Sequence, residues 1–161
     1  MEGFKKTRIV IIGGALLLGF LLLPKSSLAA TLFLSPSSGT YNVGSKINIS
    51  VRVNAEGQSI NAVDGTIGFN PSILEVVSIS RGSTVNLWVQ EPSFSNSAGN
   101  INFGGVVLNP GFNGSSGSLI TITLRVKKEG LADLDFITAS VLANDGYGTN
   151  VLKSMNGASF N

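Results

Sequence analysis

Apolar residues in most of this chain alternate one by one with polar or small residues. In "NAVDGTIGF" (61–69), Val63, Ile67 and Phe69 fall on one side, and Asp64, Thr66 and Gly68 on the other. A period of two marks a half-buried β-strand, because successive side chains point to opposite faces. The pattern halts at Asn70-Pro71-Ser72, turn residues that bend the backbone or bond to it, and resumes in "ILEVVSIS". The same reading gives strands in "TLFLSP" (31–36), ended by Pro36, and in "KINISVRV" (46–53), with Ile47, Ile49, Val51 and Val53 on one face. Further strands are predicted in "NLWVQ" around Trp88 and in "GNINFGGVVL", with Ile101 and Phe103 inward. "SLITITLRV" (118–126) sets Ile120, Ile122, Leu124 and Val126 opposite Leu119, Thr121, Thr123 and Arg125. "LDFITASVL" and a stretch near Ala158 to Phe160 complete the set. From Ala30 onward no window carries a helical stripe of ten or more residues. Eight or nine strands, each with a full apolar face, are satisfied by two sheets packed face to face, an all-β sandwich.

The first residues follow a different pattern. Lys5, Lys6 and Arg8 precede an unbroken apolar run, Ile9 to Leu23, ended by Pro24, and Ser27 and Ala29 supply small residues at a cleavage site. This arrangement predicts a signal peptide over 1–29 with a helical apolar core, followed by one domain over 30–161 and an extracellular or cell-surface location. The competing reading is a retained membrane anchor, the chain's only contact with a membrane. The run falls short of the about 20 residues a spanning helix needs. "GFNGSSGS" (111–118) reads as a loop inside the domain rather than a linker.

Removing the leader changes the charge picture. Seven Lys and Arg then face eight Asp and Glu, so the domain is close to neutral despite a whole-chain pI of about 9.1. "RVKK" at 125–128 is the one basic cluster, which argues against nucleic acid as a partner. Histidine and cysteine are both absent. That removes Ser-His-Asp triads, cysteine nucleophiles and nearly all zinc or copper sites, and no cofactor is expected. Asp133 and Asp135 share one face of a strand, where a solvated exterior accounts for them better than a glycosidase pair. "ANDGYGTN" (143–150) lacks the oxygens and the distal Glu of a calcium loop and reads as an Asp-Gly turn. The reading is therefore a protein without catalysis. Trp88, Tyr41 and Tyr147 are well separated. Carbohydrate binding through Trp88 and Tyr147 stands as a second hypothesis, and a passive stalk as a third.

"INAVDGTIGFNPSILEVVSI" resembles the characteristic segment of bacterial cohesin domains, a strand, a Phe-Asn-Pro turn and then Leu-Glu-Val-Val. "LFLSPSSGTYNVGSKINISVRVN", "GSLITITLRVKKEG" and "VLANDGYGTNV" are similar to other cohesin segments in the same order, over residues 31 to 161. The resemblance implies a nine-stranded jelly-roll β-sandwich, a fold shared with some carbohydrate-binding modules. It also implies a non-catalytic role, the attachment of dockerin modules to an extracellular scaffold (cellulosome) linked to polysaccharide degradation. The dockerin carries its own calcium, so no metal is implied on this side. Aligned on Asn70-Pro71, Asp64 matches an outward Asp that bonds the partner, and its companion Asn falls on Ala62, a departure from the family pattern. The partner-binding residues implied are Asp64, Thr66, Asn102, Gly104, Val106 and, at the strand end, Val107 or Leu108.

Overall fold

The computed structural model describes residues 29–161; the expected signal-peptide helix lies outside them. Eleven strands form: β1 (Ala30–Ser35), β2 (Ser38–Gly39), β3 (Lys46–Asn54), β4 (Ile60–Phe69), β5 (Leu74–Arg81), β6 (Leu87–Ser95), β7 (Asn100–Val106), β8 (Gly117–Val126), β9 (Ala132–Ala143), β10 (Leu152–Asn156) and β11 (Ala158–Phe160). All nine expected strands are among them. The two additions, β2 and β10, carry no hydrophobic alternation of their own and are held by neighbours. The strands build a five-stranded sheet, β10-β1-β3-β8-β5, and a six-stranded sheet, β2-β11-β9-β4-β7-β6.

The inner faces are those the alternation marks. Val63, Ile67, Ile101 and Phe103 from one sheet meet Ile49, Val51, Ile122 and Leu124 from the other, each at most 1% exposed. Burying each of these side chains is worth about 1.5–3 kcal/mol, which is why the pattern settles the architecture. Strict alternation fails in β8. Register shifts between Val51 and Arg52, so that Ile120 and Ser118 find partners while Leu119 is the extra residue. This β-bulge turns Leu119 into the core beside Ile120, both 0% exposed, and corrects its placement on the outer face.

The Asn70-Pro71-Ser72 turn forms as read. Ile73 and Leu74 amides donate to the Asn70 carbonyl at 3.1 and 3.0 Å, and the Asn70 side chain accepts the Ser72 amide at 2.9 Å. The sandwich closes differently along its two long sides. On one side the chain crosses between sheets twice, from β1 to β2 and from β10 to β11. The crossing segments run parallel, β1 against β10 and β2 against β11. On the other side β5 and β6 belong to different sheets and are joined across the edge by the Arg81–Glu91 ion pair at 2.6 Å.

Candidate functional site

The outer face of β9-β4-β7-β6 spans four strands whose pairing sets its side chains in rows. Leu142, Ala62, Val106 and Leu87 form one row across the four strands. The next is Ser140, Asp64, Gly104 and Gln90, and the third is Thr138, Thr66, Asn102 and Ser93. An apolar end thus passes into a polar centre. Leu87 is 56% exposed, and Leu108 beyond the strand end is 57% exposed. Leu108 is fixed there because its amide donates to the Asn86 side chain at 3.0 Å.

Asp64 is exposed at the middle of the face. The Ser140 hydroxyl donates to its Oδ2, which fixes the carboxylate and leaves Oδ1 open to solvent. Thr66 donates to Asn102 Oδ1 at 2.9 Å, so both side chains lie flat and paired. A bulge in β9 leaves Ile137 unpaired between Phe136 and Thr138. Its side chain reaches over Gly68, where an added Cβ would sit 3.0 Å from Cδ1, and it is 62% exposed. The strands of this sheet carry Asp64, Asp133 and Asp135, with Glu91 paired to Arg81 at the edge, and no lysine or arginine, so the face is acidic.

Asp64, Thr66, Asn102 and Val106 therefore come together on one surface. Two expected positions do not present themselves. Val107 is 6% exposed: it follows outward Val106, so the alternation itself turns it inward, and its amide donates to the Asn61 carbonyl at 2.8 Å. Gly104 lies in the outer row but is buried, covered by Gln90 and Asp64, whose Cβ atoms stand 3.4 and 3.5 Å from where its own would be. Leu87, Leu142 and Ile137 belong to the surface and were absent from the sequence reading. Their exposure follows from strand pairing and a bulge, and neither feature has a sequence signal. The departure at Ala62 gains a physical meaning here, since Ala62 continues the apolar row between Leu142 and Val106.

The residues considered for sugar binding do not form a platform. Trp88 is half-buried and packs against the core beside Gly105, while Tyr147 stands alone at a loop tip, 91% exposed. That loop is a turn: the Tyr147 amide donates to Asp145 Oδ1 at 2.9 Å, and Gly146 and Gly148 take positive φ. Hydrogen bonds from the Thr149 side chain and the Tyr147 amide hold the Asp145 carboxyl below its ordinary pKa. Among the described residues no group of three or more acidic side chains gathers as a metal site.

The family profile described as Cohesin domain matches residues 31–159. No curated protein matches the chain. Among solved structures, a type I cohesin–dockerin complex from Clostridium thermocellum superposes with a TM-score of 0.69 at 12% identity, covering 83% of this chain and 92% of that one. A non-cellulosomal cohesin from the archaeon Archaeoglobus fulgidus gives 0.64 at 18% identity, covering 82% and 90%. The seventh ScaB type I cohesin from Pseudobacteroides cellulosolvens gives 0.65 at 19% identity, again covering 82% and 90%.

Proposed function

This chain belongs to the cohesin domain family, and on that premise we propose that it is an exported, non-catalytic module that captures a dockerin-type protein module on the outer face of β9-β4-β7-β6. The observation that carries the reading is the composition of that face: an apolar row ending in exposed Leu87, beside a fixed carboxylate with one oxygen free. Protein interfaces bury an apolar centre within a polar rim, about 800 Å² per partner, and a few anchors supply most of the affinity. Ala62, Val106, Leu87 and Leu142 supply the apolar surface, and Asp64 accepts a hydrogen bond from the partner. With Asp64, Asp133 and Asp135 on its strands, Glu91 already paired to Arg81, and no cation of its own, the sheet suits a partner that presents Lys or Arg. Relatives solved with dockerins support the choice of partner. The N-terminal leader pattern supports export, and attachment of polysaccharide-degrading cargo is the setting the family membership suggests.

The test is isothermal titration of the protein against a panel of calcium-loaded dockerins. A saturable 1:1 complex is expected with at least one. Asp64→Ala and Leu87→Ala should each weaken it by about 1.5–2 kcal/mol, more than tenfold. Binding that survives both substitutions unchanged would place the contact elsewhere on the molecule.

A further inference from the structure

We propose a second binding site on the opposite sheet, independent of the docking face: a groove on the outer side of β10-β1-β3 that takes a neutral oligosaccharide. The groove has a volume of about 580 Å³ and is lined by Thr31, Phe33, Ser35, Asn54, Glu56 and Asn156, among others. Ligand clefts commonly span about 300–1,000 Å³.

Phe33 is the feature that asks for an explanation. Its neighbours in the alternation, Leu32 and Leu34, are buried at 0% and 2% exposure, so Phe33 is directed away from the core. It stands between Thr31 and Ser35 along β1, and between Arg52 on β3 and Asn156 on β10 across the sheet. At the outward positions of β1, β3, β8 and β10 it is the one aromatic ring among hydroxyl, amide and charged side chains. The interior gives no reason for a ring there. A pyranose does. One face of the sugar is a patch of C–H groups that covers an aromatic ring, and its edge carries hydroxyls that bond short polar side chains.

The rim is built to match. Glu56 and Gly57 take φ 47° and 88° as the central residues of a turn closed by the Gln58 amide on the Ala55 carbonyl at 2.9 Å. There the Glu56 carboxylate accepts the Thr31 hydroxyl at 3.1 Å at the groove's edge. Asn54 Oδ1 accepts the Glu56 amide at 3.0 Å and supports the turn. Arg52 bonds Ser116 through Nη1 at 2.9 Å, while its buried Nε has no partner. Glu56 is the one charged residue among those lining the groove, and Arg52 lies beside Phe33 on β3, so the neighbourhood carries no net charge and an uncharged, hydroxyl-rich ligand is the class that fits.

The experiment is an amide NMR titration of the protein with cellohexaose, xylohexaose and mannohexaose in turn. Saturable shifts are expected in 31–35 and 52–56 with at least one of the three. Phe33→Ala should weaken that binding at least tenfold, Phe33→Trp should keep it, and Asp64→Ala should leave it untouched. If Phe33→Ala does not return a native spectrum, Asn156→Ala decides: a several-fold loss supports the site, and unchanged affinity overturns it. The proposal is also overturned by the absence of saturable shifts with all three sugars, or by shifts that fall on β4 and β7 instead.

Discussion

A methyl group added at Gly105 would collide with Val85 Cγ1, whereas one added at its neighbour Gly104 would meet only Gln90 and Asp64 at 3.4 and 3.5 Å. The two glycines sit on opposite sides of β7, one against the packed interior and one on the outer row. Overpacking a dense core costs about 1–3 kcal/mol. Gly105→Ala should lower the urea midpoint accordingly, and Gly104→Ala should leave it nearly unmoved. Matched denaturation curves of the two variants provide the check. At this scale the sequence was informative wherever alternation was undisturbed. Val63, Ile67, Phe69, Ile101 and Phe103 are buried, and Asp64 is exposed, as the period of two requires. The reading failed at Val107 and Leu119. Val107, next to outward Val106, is turned inward by the alternation itself, whereas at Leu119 a bulge reversed the direction of the side chain. A bulge depends on the partner strand, which a linear pattern does not contain.

Among the elements, β2 and β10 were illegible for a related reason. Ser38–Gly39 and "LKSMN" have no apolar face of their own and become strands only because β11 and β1 offer unpaired edges. The docking face was legible in its polar centre, where Asp64, Thr66 and Asn102 follow from phase. Its apolar end was not, because Leu87 and Leu142 reach Val106 through pairing across three strands. The 143–151 loop carries a pH prediction. Its Asp145 carboxyl is held below the ordinary value by hydrogen bonds that require the charged form. A depressed folded-state pKa stabilises the loop above the unfolded pKa, and that support is lost as pH falls through the folded value. Acidification below the usual carboxylate range should therefore lower the protection of the Tyr147 amide, measured against its intrinsic exchange rate at each pH, while β4 and β7 stay protected. Asp145→Asn should remove the pH dependence.

The whole molecule holds together through a core common to both sheets, and one of its shortest strands has a large share in it. β11 is three residues long, yet Ala158 and Phe160 are 6% and 2% exposed, and Phe160 meets the Tyr41 ring edge-on with centroids 5.7 Å apart. Phe→Ala in a core costs about 3–5 kcal/mol against a typical total of 5–15. Phe160→Ala should thus take a large fraction of the stability, read as a drop in Tm of many degrees, although the residue belongs to neither proposed binding surface.

The paired crossings of β1–β2 and β10–β11 impose an order in time. Translation proceeds at about 5–20 residues per second, so β1 leaves the ribosome on the order of ten seconds before β10 exists to lie beside it. For that interval one flank of the nascent barrel-like body stays unzipped, with hydrogen-bonding groups that any other extended chain is able to capture. A fold whose opening strand waits for one of its last is completed as a single late event, and until then its safety rests on whatever shelters the growing polypeptide.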